Sequence, residues 1–323
     1  MKLILIKLTT KDISDRIIHP SLKTGLKTSV WLLKLTIPVS FGVFLLDYFG
    51  VLQIIAGWTE PFFNLMGLSG KAAVVLITSY FVNIYSVIAV MATLDISLRE
   101  GIILANICLI AHSLVIETAI LRKTGSSPYR MLFLRLIAGF LLAWLLHLLL
   151  PSFRESMAVE VVATDSGFMD SFIRWGKDMA ITAVKIVILV NLLLILQKAL
   201  SETGLLKWLE KPFYPLMKLM GLPVTSSFLW IIANVIGLSY GGAVMISQTV
   251  EGGLSREEAD LVNHHIAISH SQLEDTLLFV AVGMPVAWLM LPRFILAVIV
   301  VWGRRGEIRI RHIIKKLQNP DKP

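Results

Sequence analysis

Two short runs carry most of the ionisable chemistry of an otherwise apolar chain. In the first, His112 and Ser113 are followed by Glu117 and Thr118; in the second, His270 and Ser271 are followed by Asp275 and Thr276. Both read histidine, serine, three residues, an acid, then threonine. An ionisable group at membrane depth costs about 2.5–3.5 kcal/mol on insertion scales, so it persists where it has a partner or a task. Such groups hold solutes, hold cations or pass protons. Asn106, Ser113 and Glu117 are spaced i, i+7 and i+11, and His264, Ser271 and Asp275 repeat that spacing. On a continuous helix at about 100° per residue, each set falls on one face. His265, Gln272 and Glu274 enrich the second run. Imidazole and carboxylate together suit Fe, Mn or Zn. His264, His265, His270, Glu274 and Asp275 are therefore a candidate metal set, with His270 and Glu274 one turn apart. The same groups serve equally as sites for a coupling proton or sodium ion.

The elements that position these residues must be membrane helices. Of 323 residues, 56% are hydrophobic and only 16% charged, with a mean hydropathy of +0.76. Soluble domains carry closer to about 25% charged residues. The lipid bilayer is thus the first expected partner. The net charge of +8 gathers at the two ends and in short loops, a topology signal that argues against nucleic acid as a partner. A single cysteine, Cys108, excludes an internal disulfide and a multi-cysteine metal cage. The N-terminus is interrupted too early by Lys7, Lys11 and Asp12 to read as a cleavable signal peptide.

The chain reads as two copies of one unit. Met66-Gly67-Leu68 recurs as Met220-Gly221-Leu222, a shift of 221 − 67 = 154; Ser97, Glu100 and His112 recur as Ser255, Glu258 and His270, a shift of 270 − 112 = 158. Each unit holds an apolar span (30–49 and 179–200), an amphipathic stretch ending at Met-Gly-Leu, and an apolar segment interrupted near its middle. The helix carrying the polar run follows, then a last apolar span (131–150 and 285–302). The expected organisation is an amphipathic lead-in at 1–28, repeat 1 at 29–150, a connector at 151–176, repeat 2 at 177–303 and a basic tail at 304–323.

The interrupted segments set the topology. Asn83 and Ser86 lie at the first interruption, and Gly237, Ser239, Tyr240, Gly241 and Gly242 at the second. Small polar residues and glycines weaken a continuous helix, and arms of about a dozen residues are short for a bilayer core of about 30 Å. Both segments are expected to re-enter as hairpins, with Asn83, Ser86, Ser239 and Tyr240 at tips suited to a solute or ion. Six full spans then place both termini in the cytoplasm, together with Arg122, Lys123, Arg130, Lys207, Lys211 and Lys218, as the positive-inside bias requires. Three spans per unit invert the second copy. The fold class expected is an all-α polytopic membrane protein of two inverted-topology repeats, each with three transmembrane helices and one re-entrant hairpin.

This layout resembles the Gate, or nucleoside-recognition, family, which includes spore maturation proteins A and B, the membrane part of ferrous-iron transporter B and the core of concentrative nucleoside transporters. The Met-Gly-Leu motifs, the hairpins at Asn83 and Gly237, and the paired His112/Glu117 and His270/Asp275 carry the resemblance, which covers about 38–150 and 186–300. It implies inverted hairpin repeats and transport of a small polar solute or ion. The glutamine, threonine and glutamate pattern of a nucleoside transporter's first hairpin is not evident, and no GTPase P-loop occurs. The leading expectation is an ion-coupled secondary transporter of a small polar solute in a bacterial-type plasma or inner membrane. Its binding residues would be Asn83, Ser86, Asn106, His112, Ser113, Glu117, Thr118, Ser239, Tyr240, His264, Ser271, Asp275 and Thr276. The alternatives are a divalent-metal permease and a non-transporting component of envelope or spore maturation. No enzyme is expected, since neighbours on one helix do not set base, nucleophile and orienting acid in a triad's geometry. Assembly into a homo-oligomer stays open.

Overall fold

The computed structural model describes residues 13–94, 96–151, 167–205, 210–250 and 253–318. The first part of the lead-in, most of the connector, Lys207 and the last five residues of the basic tail lie outside the described residues.

The described residues are helical, with no strand element among them. In the first half they are α1 (His19–Tyr48), α2 (Val51–Phe63), α3 (Ala72–Phe81), α4 (Ile84–Thr93), α5 (Leu98–Ala111), α6 (Leu114–Lys123) and α7 (Pro128–Leu149). The second half holds α8 (Phe168–Glu202), α9 (Tyr214–Leu219), α10 (Ser227–Val235), α11 (Leu238–Val250), α12 (Arg256–Ser269), α13 (Glu274–Val280) and α14 (Val286–Gln318). Four helices, α1, α7, α8 and α14, are long and apolar enough to cross a membrane; a fifth span results if α5 and α6, bent by 40° at their junction, count as one. The expected count of six needs the corresponding α12–α13 pair as well. That pair opens on Arg256, Glu257, Glu258 and Asp260, which lowers its hydropathy.

Helix α7 shows how the sequence divides between lipid and core. Phe133, Ile137, Leu141, Trp144 and Leu148 are exposed, while Met131, Arg135, Ala138, Leu142 and Leu146 are buried. Each set recurs at intervals of three or four residues, an apolar outer stripe of the width lipid requires. Small residues line the buried side of α1 (Ser21, Gly25, Ser29, Thr36, Ser40), so α1 and α8 approach closely. At one end of this pair Phe41, Phe44, Phe172 and Trp175 pack ring to ring, and the indole of Trp175 donates to Ser40 Oγ at 3.1 Å.

Three boundaries differ from the sequence reading. Helix α1 begins at His19, so the end of the lead-in is already the membrane helix. Helix α8 begins at Phe168, inside the expected connector. Helix α14 runs on to Gln318 through the basic tail, because Glu307 pairs one turn away with Arg304 and Arg311 and keeps a charged helix regular.

Both interrupted segments fold back on themselves. Arms α3 and α4 pack against each other, as do α10 and α11. Gly237 turns with φ +113°, and eight residues of chain return Gly241 to Ala233: a Cβ at 241 would lie 2.8 Å from the Ala233 Cα. Gly241→Leu should therefore force the arms apart and cost about 1–3 kcal/mol, the range for overpacking. Thermal unfolding in detergent measures this, and an unchanged midpoint would deny that the arms touch.

The halves match in detail. Ser97 caps α5 by accepting from the Glu100 N–H, and Ser255 caps α12 by accepting from Glu258 N–H. Gly67 and Gly221 both take left-handed turns, the first against His147 near the end of α7, the second against Trp302 and Arg305 of α14. The halves also interlock: α6 packs on α11 and α13 packs on α4, so the helix carrying each acid lies on the hairpin of the other half.

Candidate functional site

The site forms where two helices stop. Helix α5 ends at Ala111 and α12 at Ser269; His112 and His270 follow in extended backbone with ψ near 160°, and Ser113 and Ser271 then take left-handed φ of 44° and 50°. These are the only non-glycine residues with positive φ among those described. Left-handed backbone costs an L-residue about 1–2 kcal/mol, and strain of this kind clusters at functional sites when surrounding structure enforces it. Here the enforcement is visible. The Ser113 N–H donates to the Ser79 carbonyl at 2.8 Å and the Ser271 N–H to Ala233 at 3.0 Å, so each break is tied to the first arm of its own hairpin. Ser271→Gly should keep or raise stability while Ser271→Val lowers it by about 1–2 kcal/mol. Equal unfolding midpoints for the two variants would contradict the left-handed geometry.

The breaks turn both histidines to the junction of the halves. Their rings lie 5.1 Å apart, centroid to centroid. Nδ1 of His112 is 3.0 Å from the Cys108 carbonyl and Nδ1 of His270 is 2.8 Å from that of Ile266. A carbonyl only accepts, so both Nδ1 atoms carry hydrogen, and the two Nε2 atoms are the variable positions. His112 Nε2 lies 2.9 Å from Glu117 Oε1 and 3.5 Å from Asp275 Oδ2, and His270 Nε2 lies 3.1 Å from Glu117 Oε2. Carboxylate and imidazole thus alternate from Asp275 through His112 and Glu117 to His270.

Two arginines complete the cluster, and the sequence reading did not single them out. Arg135 of α7 is fully buried, with Nε on the Ile110 carbonyl, NH2 on the His112 carbonyl, and an ion pair to Glu117. Arg293 of α14 is fully buried too. It donates to the Leu289 carbonyl, Gln272 Oε1 and Thr276 Oγ1 and lies within the field of Asp275. The two are matched by 293 − 135 = 158, the shift that relates the histidines; a single arginine in each last apolar span was the available signal. With both imidazoles neutral, two guanidinium and two carboxylate charges balance, as burial requires.

The remaining site residues divide. Thr276 joins the cluster through Arg293. Ser113 Oγ donates to the Val82 carbonyl at the first hairpin tip, and Ser271 Oγ lies beside Gly237 at the second. Asn83 caps α4 by accepting from the Ser86 N–H, and Ser86 Oγ meets Thr36 of α1 at 3.2 Å. Thr118 is half-buried with its hydroxyl unpaired. Ser239 and Tyr240 sit on the first turn of α11, beside the tip. Asn106 stands apart: its amide donates to the carbonyls of Ile102 and Trp288. The continuous polar stripe expected from Asn106 to Glu117 does not exist, because the helix stops at Ala111; the same holds from His264 to Asp275.

The five-residue metal set likewise disperses. His264 faces Asp260, which also takes Ser126 and Arg304. His265 lies between Trp230 and Ser269. Glu274 faces Tyr85 and Gln197 rather than His270. At about 100° per residue, positions 264 and 265 stand about 240° and 140° around the helix from 270, even before the break. Only His270 and Asp275 stay together, and His112 joins them; one ligand atom of each lies within 4.8 Å of the others.

Apolar spanning helices, matched helix breaks, folded-back hairpins and a buried cluster of ionisable side chains define a polytopic α-helical integral membrane protein. Residues 29–127 match the Gate family, described as nucleoside recognition, a stretch that takes in most of α1, the first hairpin and the first break. Over 288 residues, 88% of this chain and 92% of the relative, it is 29% identical to the uncharacterized membrane protein YvoD of Bacillus subtilis (strain 168). No solved structure matches it.

Proposed function

We propose that this protein is a proton-coupled secondary transporter of a small polar solute, with Glu117, Asp275, His112 and His270 as the coupling site between two inverted repeats. The observation that carries the reading is the buried alternation of carboxylate and imidazole at the junction of the halves, held by Arg135 and Arg293. A proton entering it resides on an Nε2 between two carboxylates, so uptake and release shift the local charge by one unit where the hairpin tips meet the breaks.

Inversion has geometric support. Arg130 at the start of α7 pairs with Glu307 of α14, while Gly67 abuts His147 at the other end of α7 and Gly221 abuts Trp302 and Arg305. From Arg130 to His147 is 17 residues, about 26 Å of helix. The two Met-Gly-Leu turns therefore stand at opposite ends of the molecule, and the basic segments around Arg130, Lys218 and Arg304 share one end. The positive-inside bias assigns that end, and both termini, to the cytoplasm.

The second reading, a divalent-metal permease, rests on His112, His270 and Asp275. Against it, a divalent ion there adds two positive charges beside two buried guanidiniums. Proteoliposomes with an imposed pH gradient, offered labelled nucleosides, amino acids and organic acids, test the leading reading: uptake above empty liposomes should require the gradient. The metal reading requires purified protein to hold stoichiometric Fe, Mn or Zn and His270→Ala to lose it. A pH-indifferent, metal-free protein would leave neither standing and return the maturation role.

A further inference from the structure

We propose that the cleft between α1 and α8 is the aqueous approach to this centre, and that Glu274, bonded to Gln197 of the cleft wall, is the carboxylate through which protons pass to Asp275. The inference rests on the coupling role given above to the central cluster and adds a route to it. The cleft, about 300 Å³, is lined among others by Ser21, Thr24, Gln197, Lys198, Ser201 and Ile236. Its two walls are the long helices, and Ile236 belongs to the tip of the second hairpin.

Gln197 spans from the cleft to the interior. Its amide nitrogen lies 3.3 Å from the Ile236 carbonyl and 3.1 Å from Glu274 Oε2. The other oxygen of Glu274 accepts from the Tyr85 hydroxyl, two residues past the tip of the first hairpin, at 3.2 Å. Glu274 therefore meets the first hairpin at Tyr85 and is joined to the cleft through Gln197, and Gly237 lets the second tip approach it. Among the described residues no lysine, arginine or histidine nitrogen is paired with it. Its neighbours are two neutral donors, the Asp275 carboxylate next in the chain, and His112, whose field it shares. Lys198 at the rim is engaged with Glu202 at 2.9 Å.

A half-buried carboxylate with no cation paired to it among the described residues, bonded to a residue of the cleft wall and followed by acid and imidazole in turn, suits the first acceptor of a proton path. Carboxylate protonation leaves the Tyr85 and Gln197 contacts in place on one oxygen each and removes a negative charge beside Asp275. Entering protons then reach the His112 Nε2, which faces Asp275 at 3.5 Å.

The test needs no identified solute. Cys108 is fully buried, so Thr24→Cys and Ser201→Cys introduce the reactive thiols. Both should react with a cationic, membrane-impermeant methanethiosulfonate in inside-out vesicles. A pH step followed by infrared spectroscopy on purified protein in lipid should show a carboxyl band that Glu274→Gln removes. Blocking either cysteine should slow its appearance severalfold, while the same reagent on Ile313→Cys should not. If Glu274→Gln does not fold, Tyr85→Phe and Gln197→Leu should each shift the band by removing one donor. Unreactive cysteines, an unslowed response, or a band indifferent to all three substitutions would overturn the route. A failure of the transport reading shows instead as uptake unaffected by Glu117→Gln, whatever Glu274 does.

Discussion

Arg135→Leu is expected to cost the folded protein about 3–5 kcal/mol, the penalty for stranding a buried charge. Its guanidinium is fully buried and holds three oxygens: the Ile110 and His112 carbonyls, freed where α5 ends, and Glu117. Removal leaves two orphaned carbonyls and a carboxylate facing only imidazoles. The double variant Arg135→Leu/Glu117→Gln should recover part of the loss, since the stranded charge is gone and only the carbonyls stay unpaired. Thermal unfolding of the single and double variants in one detergent gives the coupling directly. Additive losses would mean that Arg135 serves the helix end alone. The same experiment on Arg293 should show weaker coupling to Asp275, because its hydrogen bonds go to Gln272, Thr276 and the carbonyls of Leu289 and Leu109.

Glu117→Gln is expected to bring gradient-driven uptake down to the level of empty liposomes with the protein still folded. Glu117 is the residue through which both histidines are joined, at 2.9 and 3.1 Å. A glutamine keeps the shape but offers an amide that holds no exchangeable acidic proton, so the series from Asp275 to His270 is cut at its middle. Solute exchange without a gradient should survive in this variant, because binding and exchange require no net proton movement. Uptake that still responds fully to the imposed gradient would remove Glu117 from the coupling site.

Much of this is legible in the residues alone. Spacing and polarity picked out His112, Glu117, His270 and Asp275, and arm length picked out turns near Asn83 and Gly237. What the residues concealed was the break itself. Ser113 and Ser271 carry no glycine or proline signal, and their left-handed backbone depends on bonds to Ser79 and Ala233 more than thirty residues away. A periodicity argument extends a helix through such a point and so aligns Asn106 and His264 with residues they never meet. The arginines were hidden for the opposite reason: a lone Arg135 in an apolar span reads as a snorkelling side chain until the freed carbonyls of the break are known. Local sequence describes a helix well and describes poorly what makes it stop.

The interlock of α6 on α11 and α13 on α4 bears on how such a chain can be made and inherited. Each half buries part of its hairpin against the other's post-break helix. A truncated gene product carrying one half would emerge with an open apolar flank and either recruit a complementary polypeptide or be degraded. Severing the chain within the connector is a different matter, because nothing in the interlock requires one continuous polypeptide. Two separately encoded halves, synthesised together, should reassemble in the bilayer, whereas either alone should not accumulate.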